Sequence, residues 1–188
     1  MLNRLIDNWV YGGFLAGLLL VLLSPLITAH WPAALTAVFF CLPAYMLHQY
    51  EEHDNDRFRT FVNRLLGKGN DGLTRRAVFL INVPGVWGGI AVALWLAARV
   101  DTGFALIAVY LLLSNGVIHI VQAAAARSYN PGLITAIVLF LPVGGWGLLA
   151  VEHSGAATPA MHAIGLLTAV GIHLVIIIPV LRNRRKYA

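Results

Sequence analysis

Leu47-His48-Gln49-Tyr50-Glu51-Glu52-His53 closes an apolar run that begins at Pro32. Two carboxylates and a histidine stand where a membrane-spanning helix is still in hydrocarbon or just leaving it. Ionisable groups at mid-bilayer cost about 2.5–3.5 kcal/mol each on insertion scales, so a chain that keeps them generally uses them. Helix positions three and four apart share a face. His48, Glu51 and Glu52 therefore project from one side. One imidazole and two carboxylates on one face amount to half of a metal site.

The rest of the composition fits that reading. Of 188 residues, 59% are hydrophobic and 11% charged, against about 25% charged in a soluble domain. The mean hydropathy is +0.77. The expectation is an all-α integral membrane protein, with residues 1–188 forming a single transmembrane domain. Cys41 is the only cysteine, so no intrachain disulfide can form. The formal net charge of +5 is read as a report on which loops face the cytoplasm, not as a nucleic-acid surface.

Six apolar runs follow one another: Tyr11 to Ala29, about Pro32 to Glu52, Thr74 to Arg99, Gly103 to Arg127, Gly132 to Val151 and Ala160 to Leu181. They predict a six-helix transmembrane bundle. The first run is 19 residues long, longer than the ~7–15 of a signal-peptide core, and is taken as a retained helix. Gly13 and Gly17 give it a face of small residues for close packing. Between helices two and three lies a polar segment, 54–71. Phe58, Phe61, Val62, Leu65 and Leu66 recur in it at helical spacing, with Arg57, Arg59, Arg64 and Lys68 between them. This predicts one amphipathic helix lying on the cytoplasmic membrane surface, capped by Asp54 or Asn55, ended by Gly67 and Gly69, and placed to roof the acidic motif.

Charge sets the orientation. With the amino end inside, Arg4, Arg57, Arg59, Arg64, Lys68, Arg75, Arg76, Arg127, Arg182, Arg184, Arg185 and Lys186 are cytoplasmic. These are twelve of the 13 basic residues, and only Arg99 falls outside. Such asymmetry supports six helices with both termini in the cytoplasm, in a membrane of the bacterial inner-membrane type.

Helices two, four and six then run the same way. His48 and His119 lie 16 residues from the starts of theirs, and His173 lies 13 from its own. At 1.5 Å per residue all three imidazoles sit roughly 20–24 Å below the outer surface. Asn82 reaches a similar level from the other side. The cost of burial argues that these groups point inward together. Asn82, Asn115 and Gln122 are read as helix–helix hydrogen bonders or supports for a site, with Asn115 also a candidate catalytic group. His53 is read as a solvated histidine at the helix end. His30, His153 and His162 are read as loop residues of the opposite surface.

The pattern His48-Gln-Tyr-Glu51-Glu52 resembles the signature of the HXXEE membrane proteins. Asn115-Gly-Val-Ile-His119 is similar to that family's later Asn-x-x-x-His element, and Tyr129-Asn-Pro131-Gly132 to its Tyr-x-Pro-Gly element. The three occur in the family's order, and the span from His48 to Gly132 covers nearly half the chain. The resemblance implies an integral membrane protein and supports the site, but it implies no reaction.

The residues themselves predict a membrane-embedded metal-dependent enzyme. Catalytic zinc takes three protein ligands, often two His and one carboxylate, and keeps one position open. His48, His119, His173, Glu51 and Glu52 are the candidate ligands, with whichever glutamate is left over acting as general base. Zinc is favoured, with iron or manganese as alternatives. The expected reaction is hydrolysis of a lipid, isoprenoid or other amphiphilic molecule at the cytoplasmic leaflet. The alternatives are a two-metal oxygenase or hydroxylase acting on lipid, and a small proton-coupled transporter built on Glu51, Glu52 and His48.

Overall fold

The computed structural model describes residues 2–65 and 72–186. Its helices are α1 (Leu2–Ile27), α2 (Ala33–His53), α3 (Arg57–Leu65), α4 (Arg75–Arg99), α5 (Thr102–Ala126, whose first turn is 3₁₀), α6 (Leu133–His153) and α7 (Pro159–Lys186). No described residue forms a strand. Four of these helices, α1, α4, α5 and α6, are long and apolar enough to cross a membrane. The last two turns of α2 carry the polar stretch His48–His53, and α2 is not one of the four. Within α7, Pro159–Val175 forms a shorter apolar helix.

Helix α2 is the centre of the bundle. It packs against α1, α4, α5 and α6, and Ala34, Ala37, Val38, Cys41, Ala44 and Tyr45 are all buried along it. A helix apolar on every side has to be covered on every side. Helix α5 is the second interior element, packed against α2, α4, α6 and α7. The outer helices turn their leucines outward: Leu15, Leu19, Leu22 and Leu26 of α1 are exposed. The small-residue face of α1 is used as expected. A Cβ on Gly17 would stand 3.0 Å from Met46 Cβ, and one on Gly13 would stand 2.6 Å from the Trp87 ring.

Two features differ from the sequence expectation. Helix α1 begins at Leu2, nine residues before the apolar run, because Ile6 and Val10 extend its buried stripe. This places Trp9 over His53, with ring centroids 5.1 Å apart. Helices α4 and α6 also each contain a π-turn, at Ile81–Trp87 and Ala136–Phe140. Pro84, inside the first, lacks the N–H that a regular turn needs. A π-turn re-aims the side chains that follow it, and both of these turns flank the site described below.

The expected single helix over 54–71 is instead a 3₁₀ turn at Asp54–Asp56, with Asn55 and Asp56 at positive φ, followed by α3 from Arg57. Lys68, Gly67 and Gly69 lie outside the described residues. Val62 of α3 packs with Leu73 and Val78 into a small second core. A chain of ion pairs ties this end of the bundle together: Arg59–Asp56 (2.7 Å), Arg75–Asp56 (3.4 Å) and Arg75–Asp7 (3.6 Å). Partial burial acts to raise the Asp56 carboxyl, but the hydrogen bonds and charges of Arg59 and Arg75 outweigh it and hold the group below the ordinary carboxylate range. A depressed folded-state value stabilises at every pH above the unfolded value of about 3.9, and that contribution is lost as pH falls through the folded value. Amide protection factors in α3 are therefore expected to fall on acidification below about pH 4, and Asp56→Asn should remove that dependence. Unchanged pH dependence in the variant would refute the assignment.

Candidate metal centre

Helix α2 brings His48 and Glu52 to one face, and α5 brings His119 opposite them. His48 Nε2 lies 3.6 Å from Glu52 Oε2, and His119 Nε2 lies 3.5 Å from Glu52 Oε1. One ligand atom from each of the three residues falls within 4.8 Å of the others. All three side chains are buried: His48 is 0%, Glu52 5% and His119 3% exposed. The rings of His48 and His119 meet edge to face with centroids 5.0 Å apart, and Phe140 backs His48 at 4.1 Å.

The proton positions on both imidazoles follow from their outer partners. Thr135 Oγ1 donates to Glu51 Oε2 at 2.5 Å, with Gly132 O a further acceptor at 3.3 Å. Both are acceptors, so the single hydroxyl proton is committed. The 2.9 Å contact between Thr135 Oγ1 and His48 Nδ1 must therefore be an Nδ1–H donation. Asn130 is fixed just as firmly. Its Nδ2 donates to the His119 carbonyl (2.8 Å), so its Oδ1 accepts from His119 Nδ1–H (2.8 Å). Each ring thus carries a proton on Nδ1 and turns Nε2 toward Glu52.

That arrangement is a donor set that could hold a cation. The separations of 3.5–3.6 Å between these Nε2 atoms and Glu52 are long for hydrogen bonds. They match the edge of a tetrahedron with metal–ligand bonds of ~2.0–2.1 Å, which is about 3.3 Å. His48 Nε2 is buried with no hydrogen-bond partner, a costly state unless something binds it. Behind the two rings stands the arrangement that metal-ligating histidines usually have, each Nδ1–H held by an oxygen.

The turn after α5 builds most of that support. Gly132, at φ +97°, lies so close to both rings that a Cβ on it would stand 2.7 Å from His48 Cε1 and 2.8 Å from His119 Cε1. Glu51 points away from the cluster into this turn. It accepts from Tyr129 OH (2.8 Å), Ile134 N (3.2 Å) and Thr135 N (2.7 Å). Of the candidate ligands, the structure gathers His48, Glu52 and His119; Glu51 is one step behind them, joined to His48 through Thr135. Removing that link by Thr135→Val, a near-isosteric change, is expected to weaken metal binding about 10–100-fold and to mix the His48 tautomers. Isotope-edited NMR of the His48 ring nitrogens checks this, and a ring that stays in one tautomer would refute the relay.

The remaining candidates line an adjoining cavity of about 100 Å³, whose walls include Glu52, Asn82, Asn115, His119, Gln122 and His173. His173 joins its Nδ1 to the Ala169 carbonyl at 2.7 Å. Asn115 donates to Tyr45 OH at 2.7 Å. Asn82 accepts from Gln49 Nε2 at 2.7 Å, and Gln49 also accepts from Trp87 Nε1. His53, expected in solvent, is buried between Trp9 and Phe58, with Nε2 3.0 Å from Glu52 Oε2. The α1 extension that carries Trp9 is what covers it. His162 is also engaged, between Tyr110 OH (2.7 Å) and Glu152 (3.0 Å). Thr135, Asn130 and Trp9 were missed in the sequence. The Tyr-Asn-Pro-Gly turn was visible, but nothing in its spacing says which helix it folds back upon.

The class defined by fold and site is a helical membrane protein with a buried cluster of two histidines and one glutamate at the C-terminal end of its central helix. Residues 39–147, more than half of the chain, match the family described as "Protein of unknown function with HXXEE motif". The chain belongs to this family. No curated protein and no solved structure matches it.

Proposed function

We propose that this protein is a membrane-embedded metal-dependent hydrolase that acts on an amphiphilic substrate at the cytoplasmic leaflet. One observation carries the reading: the Nε2 atoms of two imidazoles, that of His48 without a hydrogen-bond partner, converge on a buried carboxylate beside a mostly apolar cavity. Two histidines and a carboxylate are a donor set of hydrolytic zinc, with iron or manganese the next candidates. His48, Glu52 and His119 hold the cation. When bound, it supplies Lewis acidity and lowers the pKa of a water to about 7.

The chain's other residues take the remaining roles. Glu51, through Thr135, keeps His48 in the ligating tautomer. The second amide hydrogen of Asn115, beyond the one given to Tyr45, is free for a substrate oxygen. His173 has Nδ1 committed to a carbonyl, so its Nε2 is the proton acceptor that the cavity wall offers. The apolar remainder of the cavity keeps bulk water out.

In this reading α2 and α7 also cross the bilayer, making six spans. Helix α3 lies on the cytoplasmic surface above the site, and both termini are cytoplasmic, in an inner membrane. The basic residues counted above support that orientation. A two-metal variant has one observation in its favour, the third imidazole, His53, whose Nε2 lies 3.0 Å from Glu52 Oε2.

The test is elemental analysis of protein purified without chelator and then titrated with zinc, manganese and ferrous iron. About one tightly held ion per chain is expected, or two for the variant. A chain that takes up none of these metals would sink the proposal. Uptake without turnover, but with substrate flux in proteoliposomes, would favour a transporter.

A further inference from the structure

The shape of the cavity names a narrower class of ligand. Its polar groups, Glu52, His119, His173 and Asn115, stand among apolar walls, with Phe58, Val62 and Val78 on the side of α3. From there it runs deeper into the bundle between α2, α4, α5 and α7 to Leu111, Val86 and Ile172. His119 and Leu111 are eight residues apart on one helix, about 12 Å along its axis. Leu111 and Val86 are 1% and 3% exposed, so that end is closed. At the other end Ile118 and Ile177 are only half buried, and their neighbours Val117, Val121 and Ile178 are exposed apolar side chains. The mouth therefore opens on an apolar flank of the bundle. The cavity is narrow, about 100 Å³, which favours one short chain over two.

We infer that the site takes a single-chain amphiphile, its polar group against Glu52 and His119 and its aliphatic chain running inward to a floor made by Leu111 and Val86, which measures chain length. This rests on the metal reading of the cluster and adds to it the class of substrate: a molecule with one hydrocarbon tail and a cleavable or chelating group at its head. A two-tailed lipid does not fit.

The experiment uses the full chain, zinc-loaded in one detergent, and a series of alkyl hydroxamates from acetohydroxamate to dodecyl hydroxamate, read by calorimetry. Comparing variants within one detergent cancels the partitioning of each probe. Leu111→Phe raises the floor. It is expected to weaken the octyl and longer probes at least tenfold and leave acetohydroxamate unchanged. Leu111→Ala lowers the floor and should move the longest well-bound chain upward. Metal content of each variant reports its folding, and if Leu111→Phe does not hold zinc, Leu111→Ala and Val86→Ile decide. Variants that change every chain length by the same factor overturn the inference and leave the metal site standing, as does displacement of octyl hydroxamate by an equal concentration of dioctanoyl phosphatidylcholine. A wild-type chain that binds neither zinc nor acetohydroxamate removes the metal reading, and this inference with it.

Discussion

Gly132→Ala is expected to reduce metal affinity at the proposed site about a hundredfold or more, although the substitution adds one methyl group and changes no proposed ligand. Two independent effects act together. At φ +97° an alanine is strained by about 1–3 kcal/mol. The new Cβ also arrives 2.7 Å from His48 Cε1 and 2.8 Å from His119 Cε1, distances that real Cβ atoms do not tolerate. Neither ring can easily give way, since Thr135 and Asn130 hold them at Nδ1 and Phe140 stands against His48. A displacement of about half an ångström is enough to spoil a preorganised site. Gly155 provides the control. It also has positive φ (+75°), but nothing lies within 4 Å of its added Cβ, so Gly155→Ala should lose stability alone and keep its metal. Equal metal affinity in the two variants would contradict the geometry.

The second large effect separates two adjacent acids. Glu52→Gln is expected to abolish tight metal binding, and Glu51→Gln to weaken it only about 10–100-fold. Four-ligand zinc sites bind with ~10–16 kcal/mol, so one ligand accounts for roughly 3 kcal/mol or more, a factor of about a hundred upward. Glu52 lies among three imidazoles, at 3.6, 3.0 and 3.5 Å, and nothing else can replace its charge there. Glu51 serves the turn and reaches His48 only through a hydroxyl. Its variant should also expose the 129–135 turn to faster amide exchange, which Glu52→Gln should not. Metal titrations of the two variants side by side settle the order. If Glu51→Gln proves equal or worse, the ligand assignment is reversed.

Much of this was legible in the chain itself. The excess of apolar residues, the six long runs and the cost of carboxylates in hydrocarbon mark a helical membrane protein with a site at His48–Glu52. Equal counting from the helix starts put His48 and His119 at one depth before any contact was known. That works because a helix converts residue number into distance almost without error.

Direction and proton position are different in kind. Periodicity places Glu51 and Glu52 equally near His48, so it cannot say which acid faces the ring. The packing of α2 against α5 and α6 decides it, turning Glu52 inward to His119 and Glu51 outward to Thr135. The role of Gly132 depends on a turn folding back over two helices remote in sequence, and the burial of His53 depends on Trp9, forty-four residues away. Sequence alone determined the bilayer as solvent, the helical class and the residues whose burial demands partners, because these are sums over local composition. Only the tertiary structure decided which partners meet and which nitrogen bears the proton, because ligation is a matter of tenths of an ångström between segments that local rules do not connect.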